Sequence, residues 1–331
     1  MLFRSWGLRP LFAVCRTQYA SICLWRGTWI EAESELCAAS DELAASRPAM
    51  RGDALVLLAE LRRRQGRLRE AAALVNQTPP HGAGLLERAE LAFDCGDYPA
   101  AAERAEQYLR HRPTSNLTDR ASGLEIQVRA LTCLQDWEHA KAALGELSGI
   151  AALVATLPLR AAASFAAGYF AMGENKADAA RRCFEDAVDL YLRSGAPFEV
   201  GRARIELARA LGKAGRIEAA LDEALRAKIL LSELNAELES ARAQSVLEEL
   251  ATLQQSNQDS VSLKLRSGEL TRREIEVLRL VAEGLNNPTI AERLFVSDHT
   301  VHRHLSNILN KLDVSTRSAA VAQALRRGLL T

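Results

Sequence analysis

A three-residue pattern recurs six times in the first two thirds of the chain: a turn residue, an aromatic or aliphatic residue two positions later, and an alanine five positions after the turn residue. The copies are Gly27-Trp29-Ala32, Gly66-Leu68-Ala71, Gly96-Tyr98-Ala101, Gln135-Trp137-Ala140, Asn175-Ala177-Ala180 and Gly215-Ile217-Ala220, spaced 39, 30, 39, 40 and 40 residues apart. Two antiparallel helices joined by a tight turn explain this period, because the small alanine lets the helices touch. We therefore predict an all-α array of helical hairpins.

This pattern resembles the tetratricopeptide class of helical repeat in a degenerate form. The resemblance implies a TPR-like solenoid, which we place at residues 1–253. Such an array would offer a concave surface to an effector, and a protein, a peptide and a small molecule all remain open as that effector. An irregular Ala-rich α-domain is the alternative interpretation.

The C-terminal residues 269–331 carry the start and stop signals of four short helices. Thr271 and Glu274 have the spacing of a capping box, and Gly284 can end the first helix. Asn287 is the predicted N-cap of the second helix, with Pro288 at its first position. Ser297 then precedes a third helix, and a fourth follows at about 316–327.

The third helix, Asp298 to about Leu312, is predicted to be amphipathic. Its apolar residues recur at intervals of four, three and four, which forms one buried stripe: Val301, Leu305, Ile308 and Leu312. The predicted opposite face is polar and basic: His299, His302, Arg303, Ser306, Asn310 and Lys311. A short helix, a tight turn and a second helix with a basic outer face suit entry into the major groove of DNA.

The same segment resembles the LuxR-type helix-turn-helix. The residues that carry this resemblance are Leu270-Thr271, Glu274, Glu276-Val277-Leu278, Ala282-Glu283-Gly284, Ile290-Ala291, Leu294, Val296-Ser297, Thr300-Val301, His304, Ile308, Lys311-Leu312 and Arg317. The resemblance implies a transcription regulator that binds double-stranded operator DNA as a homodimer, with the fourth helix as the dimer contact. The degenerate helical repeats of residues 1–253 also resemble those in the C-terminal halves of large ATP-binding LuxR-family regulators.

The resemblance also implies which side chains contact DNA. By position they are His302, Arg303 and Ser306 at the bases, and we add Thr300, Lys311, His299 and Asn310 to the DNA-binding set. Arg303 is the best candidate for reading a base, because a planar guanidinium can pair with guanine. Lys311 is expected to contact phosphate or a neighbouring carboxylate rather than a base. The family usually has a basic residue at position 302 and Lys-Glu at positions 288–289, so the operator sequence is left open.

The charge distribution agrees with a DNA-binding end. From Lys264 onward there are eleven Lys and Arg against seven Asp and Glu, a balance of +4, whereas the remainder has 31 against 35, a balance of −4. A basic end on an acidic body fits phosphate binding at one end only. Attraction between the two parts, which would mask the basic end, is the alternative.

No residue pattern points to an enzyme, so no catalytic residue, cofactor or metal ligand is predicted. The chain lacks a Gly-x4-Gly-Lys-Ser/Thr loop, and Leu211–Gly215 resembles one only superficially. His302 and His304 lie two apart, so on a helix their side chains point about 200° apart. The competing function is a protein-interaction scaffold with a degenerate DNA-binding head, which His302 and Pro288 favour slightly.

Three further expectations concern location and connections. Six separated cysteines, and the lack of a membrane-length apolar segment, predict a soluble cytoplasmic protein with reduced thiols and no membrane contact. Polar residues 254–268 are expected to form a flexible linker. The apolar start, Met1 to Phe12, is expected either to dock on a second subunit or missing module, or to be an ordinary amphipathic helix folded onto the first repeat.

Overall fold

The computed structural model describes residues 9–79, 82, 84–266 and 270–330, and every regular element in these ranges is a helix. The chain divides into two compact units between Ala251 and Thr252. Searched over the same ranges, no helix has the length and apolar character needed to cross a membrane.

The first unit, here called the repeat unit, is a succession of helical hairpins. Its helices are α1 (Arg9–Arg26), α2 (Trp29–Ser46), α3 (Arg51–Arg64), α4 (Leu68–Val75), α5 (Gly84–Asp94), α6 (Tyr98–Arg110), α7 (Leu117–Cys133), α8 (Trp137–Val154), α9 (Leu157–Gly173), α10 (Ala177–Ser194), α11 (Pro197–Lys213) and α12 (Ile217–Glu233), followed by α13 (Glu237–Arg266). A single 3-10 turn, Pro48–Met50, precedes α3.

The six copies of the repeated pattern mark the six hairpin turns, which confirms the predicted fold class. All six turn residues have a left-handed backbone with φ between 60° and 82°, including the non-glycine residues Gln135 and Asn175. The residue two positions later begins the second helix of each hairpin. The six alanines have 0% of their surface exposed, so each is fully covered by the packed helices around it. A larger side chain at these positions would push the two helices apart.

The first hairpin packs against the later ones, so the interior of the repeat unit is enclosed. The indole Nε1 of Trp25 donates a hydrogen bond to the Ser194 carbonyl oxygen at 3.0 Å. The rings of Trp29 and Phe198 lie 5.7 Å apart, and one hydrophobic core joins α1–α3 to α9–α13. The predicted concave surface is therefore lined by both ends of the array. Pairing between residues so distant in sequence had no signal in the local pattern.

Helix α1 packs on α2 from Arg9 onward, as expected for an amphipathic first helix. Ala13, Ala20 and Leu24 are buried, whereas Leu11 remains exposed. The docking hypothesis depends mainly on Met1–Leu8, and these residues lie outside the described ranges.

The stretch 254–268, expected to be a flexible linker, is largely helical in its backbone. Helix α13 continues to Arg266, so the backbone of residues 254–266 is helical, and residues 267–269 lie outside the described ranges. The physical reason is that no glycine or proline interrupts the sequence between Glu237 and Arg266. Missing apolar periodicity shows that a stretch has no buried face, but it does not break the backbone hydrogen bonds of a helix.

The second unit includes the end of α13, and its described residues 270–330, here called the head, contain four helices. They are α14 (Arg272–Ala282), α15 (Asn287–Leu294), α16 (Asp298–Leu312) and α17 (Arg317–Arg326). Its core contains apolar residues of all four helices, among them Leu278, Ile290 and Ala320 beside Val301 and Ile308 of the predicted stripe.

Two glycines of the repeat unit make a matched stability test. A β-carbon on Gly168 of α9 would lie 2.7 Å from Cε1 of the fully buried Phe184 ring, whereas one on Gly145 of α8 would meet no atom within 4 Å. We expect Gly168→Ala to destabilise the chain by about 1–3 kcal/mol through overpacking. Gly145→Ala should stabilise it by roughly 0.5–1 kcal/mol, because alanine has less backbone freedom than glycine in the unfolded chain. Urea unfolding measures both, and a neutral Gly168→Ala variant would contradict this packing.

Candidate nucleic-acid interface and the interior of the repeat unit

The head begins with the predicted capping box. The Thr271 hydroxyl accepts a hydrogen bond from the Glu274 amide at 3.2 Å, and the Thr271 amide donates to Oε2 of Glu274 at 2.7 Å. Two backbone donors that would otherwise be unpaired at the start of α14 are thus satisfied.

The second helix begins one residue earlier than the predicted cap implies. Asn286, not Asn287, is the N-cap of α15: its Oδ1 accepts hydrogen bonds from the Thr289 amide at 3.0 Å and from the Thr289 hydroxyl at 2.7 Å. Pro288 therefore lies at the second helical position, where its missing amide is equally harmless. Because Asn286 and Asn287 are adjacent, the sequence alone does not show which of them is the N-cap.

A tight turn orients the third helix. Phe295, the residue after α15, has φ of 52° and is 96% exposed. Ser297 then caps α16 by accepting a hydrogen bond from the Thr300 amide at 3.2 Å, and the hydroxyls of Ser297 and Thr300 lie 2.8 Å apart. Both hydroxyls therefore lie at the positive end of the α16 dipole, where anions are favoured.

Helix α16 has the predicted buried stripe and a polar face turned outward. Val301, Ile308 and Leu312 are buried, and Leu305 is half-buried. Five of the predicted DNA-binding residues are exposed together on the outer face: His299, His302, Arg303, Ser306 and Asn310. Thr300 is half-buried at the edge of this face. We call the five exposed residues the polar face of α16.

Arg303 lies in the middle of this polar face. Among the side chains that the structure describes, none forms a hydrogen bond or an ion pair with its guanidinium. The Ser306 hydroxyl donates to the His302 carbonyl oxygen at 3.1 Å, which leaves its oxygen free to accept a further hydrogen bond. The face therefore presents donors and acceptors of the kinds that read base edges.

The structure buries Lys311 in the head rather than placing it on the exposed polar face predicted for it. Its side chain is buried, with 9% of the residue exposed, and Nζ donates to Oε2 of Glu274 at 2.8 Å. Of the two expected partners, phosphate and a neighbouring carboxylate, the structure has the carboxylate. In helical projection Lys311 lies only about 60° from Ile308 of the buried stripe, whereas Arg303 lies about 140° away.

Glu274 is held ionised by this arrangement. Burial alone would raise the pKa of the Glu274 carboxyl, but hydrogen bonds from Lys311 and Thr271 outweigh burial and lower its pKa below the ordinary value. The ion pair therefore fixes the start of α14 to the end of α16.

Two arginines that sequence reasoning had not assigned connect the remaining helices. Arg273 donates to the Leu294 carbonyl oxygen at 2.7 Å, and Arg317 donates to the Leu285 carbonyl oxygen at 2.6 Å. Carbonyl groups at or just beyond a helix end need such donors, so nearby arginines were a usable signal. On α17, Ala320 and Ala324 are buried in the head itself, while Leu325 is 55% exposed.

Comparison with known proteins agrees with this geometry. Residues 268–324 match the family described as bacterial regulatory proteins, luxR family. The head belongs to the LuxR family. Over 59 residues the chain is 48% identical to the transcriptional regulatory protein DegU of Brevibacillus brevis, covering 18% of this chain and 25% of DegU. Over 61 residues it is 51% identical to the transcriptional regulatory protein LiaR of Bacillus subtilis, covering 18% and 29%.

The LuxR-type head is thus the part shared with these relatives. A third relative, an HTH-type transcriptional regulator of Mycobacterium bovis, is 51% identical over 61 residues, which are 18% of this chain and 7% of that protein. The matched segment spans less than a third of each of the three relatives.

A solved structure resembles the fold more broadly. A crystal structure of Rap protein complexed with competence and sporulation factor aligns with a TM-score of 0.52 and 13% identity, covering 95% of this chain and 99% of that one. At this identity the likeness concerns the fold alone. It agrees with the TPR-like helical architecture of the repeat unit.

The interior of the repeat unit contains a buried ion network that the sequence analysis missed. Successive ion pairs connect five arginines to seven carboxyl groups: Arg63, Arg64, Arg129, Arg202 and Arg242 with Glu60, Glu87, Glu90, Asp94, Glu125, Glu199 and Glu239. Glutamate three or four residues before arginine recurs on α3, α7, α11 and α13. This spacing was a readable signal, since such pairs share one helix face.

The network contains two more carboxyl groups than guanidinium groups, and two carboxyls have raised pKa values. Burial raises the pKa of Glu87 to about 8, with Glu60 and Glu90 adding to the effect against Arg63. Burial likewise raises the pKa of Glu125 to about 7, with Glu199 and Glu90 adding to it against Arg202 and Arg129. The folded repeat unit therefore holds protons near neutral pH that the unfolded chain would release.

Lys311→Ala should destabilise the head rather than remove a phosphate contact. It leaves the Glu274 carboxylate buried without its cation, which costs about 3 kcal/mol. Amide hydrogen exchange of the full chain should then show faster exchange within 272–282 and 298–312. Asn310→Ala, an adjacent exposed change, is the control and should leave exchange unaltered. If the Lys311→Ala variant keeps wild-type protection from amide exchange and only binds DNA more weakly, the assignment of a buried ion pair is wrong.

The two raised carboxyls predict that stability falls as pH rises. A folded-state pKa above the ordinary 4.5 means that the stabilisation is complete at low pH and is lost as pH rises through 7 to 8. All four tryptophans precede residue 138, so their fluorescence reports unfolding of the repeat unit. Between about pH 6 and about pH 9 the thermal midpoint of the wild type should fall. The midpoint of the double variant Glu87→Gln/Glu125→Gln should fall less over the same range. The exposed control Glu185→Gln should follow wild type, and an unchanged slope in the double variant would refute the assignment.

Proposed function

We propose that the chain is a DNA-binding transcription regulator in which α16 reads sequence in the major groove and an effector bound to the repeat unit controls the head. The observation that carries this proposal is the polar face of α16, exposed opposite a stripe that the head buries. A helix of this kind, placed after a tight turn, is the recognition helix of helix-turn-helix proteins.

The proposed roles follow from position and chemistry. Arg303 contacts a base, preferably guanine, because it is exposed and has a planar pair of donors. His302 and Ser306 contact neighbouring base edges, and His299 and Asn310 lie at the two ends of the same face. Thr300 contacts a phosphate, since it lies in the first turn of the helix. Lys311 takes no part in this proposal.

On DNA we propose a homodimer with α17 as the contact between copies. Leu325, an exposed apolar side chain on α17, supports this choice. A symmetric dimer of this type would bind half-sites about one helical turn, roughly 10 base pairs, apart.

For control, we propose that the effector binds in the enclosed interior of the repeat unit. The interior contains a cavity of about 320 Å³, a volume in the range of small-ligand sites. Rap protein, whose fold is similar, was crystallised in complex with competence and sporulation factor. A protein effector would instead need an outer surface of the array, so the cavity favours a small ligand or a peptide end.

A scaffold with a degenerate head is the second candidate. The observation that favours it is that Arg303 is the one arginine or lysine on the polar face of α16, a helix that the structure describes completely. Binding to DNA through phosphates becomes weaker as salt is added, because counterions are released on binding. A scaffold would show no such dependence.

Arg303→Ala tests the proposal directly. For a duplex selected from random DNA, we expect the loss of one base contact to cost about 1–3 kcal/mol, with relaxed preference at one position of each half-site. Fluorescence anisotropy with the selected duplex and with duplexes substituted at single positions measures both effects.

The control variant is Arg193→Ala, which removes an exposed arginine of the repeat unit. It should change neither affinity nor preference. Equal effects of the two variants would mean that only overall charge matters, and α16 would not be the reading helix.

A further inference from the structure

The 320 Å³ cavity of the repeat unit is lined by more carboxyl groups than guanidinium groups. Its wall contains five glutamates, Glu60, Glu87, Glu90, Glu125 and Glu199, against three arginines, Arg63, Arg64 and Arg202. Because Glu87 and Glu125 have raised pKa values, a bound cation can replace their protons and leave the net charge of the wall unchanged.

Two of these glutamates retain capacity for a donor. The guanidinium nitrogens nearest to Glu125 belong to Arg129 and Arg202, at 3.7 and 3.8 Å, which is longer than a hydrogen bond. Glu87 accepts from Nε of Arg63 through Oε1 at 2.8 Å, and none of the described side chains donates to its Oε2. Both carboxyl groups line the cavity.

The same cavity has an apolar wall. The rings of Trp25 and Tyr191 lie 6.4 Å apart at 59°, and Leu86 and Leu159 line the cavity beside them. Because the indole N–H of Trp25 already donates to Ser194, Trp25 offers a ligand its ring surface. Aromatic rings beside carboxylates are the surroundings in which proteins bind organic ammonium ions.

We propose that this cavity binds an aliphatic diamine, with one ammonium group at Glu125, the other at Glu87, and the methylene chain against Trp25 and Tyr191. The proposal names the effector class of the regulator and rests on the proposed function only for its effect on DNA. An organic cation is favoured over a metal ion, since the described residues contain no group of three or more His, Cys, Asp or Glu side chains suited to hold one.

Charge balance supports a dication. With Glu87 and Glu125 protonated, the other five carboxylates of the network balance its five guanidinium groups, and two ammonium groups that replace these two protons would keep that balance. Glu125 faces Arg129 on α7, Glu90 on α5, and Glu199 and Arg202 on α11, while Glu87 faces Glu60 and Arg63 on α3 and Glu90 on its own helix. Protons held by Glu87 and Glu125 would pass to the buffer as the diamine binds.

Isothermal titration of the full chain with 1,4-diaminobutane tests the site. We expect one ligand per chain, and a heat that depends on the ionisation enthalpy of the buffer because protons are released. Glu125→Gln and Glu87→Gln, which mimic the protonated groups and should preserve the fold, should each weaken binding by about tenfold or more. Glu206→Gln, in a neighbouring cavity, is the matched control and should bind as wild type.

The site would be overturned by no heat at millimolar diamine, by wild-type affinity in the two glutamine variants, or by equal binding of butane-1,4-diol. A further contrary result would be that magnesium chloride, at matched ionic strength, displaces the diamine equally from the Glu206→Gln and Glu125→Gln variants. Such a result would indicate nonspecific attraction of cations. If the diamine binds as expected and the chain selects no DNA, the site stands and the proposed regulator function fails.

Discussion

The repeat unit depends on a steric constraint: at each hairpin turn a left-handed residue is followed five positions later by an alanine with no exposed surface. Close approach of the two helices at that alanine, repeated six times, turns the chain regularly enough for α1–α3 to pack against α9–α13. Enclosure then removes the interior charges from water. A buried charge is tolerated only when it is paired or neutralised, which explains both the continuous ion network and its two raised carboxyl pKa values.

The head uses one carboxylate for two purposes. Oε2 of Glu274 accepts from the Thr271 amide at the start of α14 and from Lys311 near the end of α16. The start of the first helix therefore fixes the rotation of the third helix. With Val301 and Ile308 buried and Lys311 held on the flank, the polar face around Arg303 can only face outward. Stability of the head and outward presentation of the polar face of α16 therefore depend on the same contacts.

Short-range signals were read correctly, and long-range or ambiguous ones were not. Turns such as Asn175 and caps such as Thr271 act within a few residues, so spacing alone predicted them. Closure of the array joins Trp25 to Ser194 and depends on the summed geometry of ten helices, which no local pattern encodes. Lys311 was misplaced because a long side chain on the flank of a helix can reach either solvent or a buried partner. The residues around Arg303 that are candidates for base contact follow from their positions on α16, and the helical period predicted those positions.

The most direct measurement is selection of bound fragments from random double-stranded DNA by the full chain, followed by sequencing. If the polar face of α16 reads the major groove in a dimer, the selected fragments should share a motif of two half-sites about 10 base pairs apart, centre to centre. Failure to enrich any motif at low ionic strength, where phosphate attraction is strongest, would contradict the account.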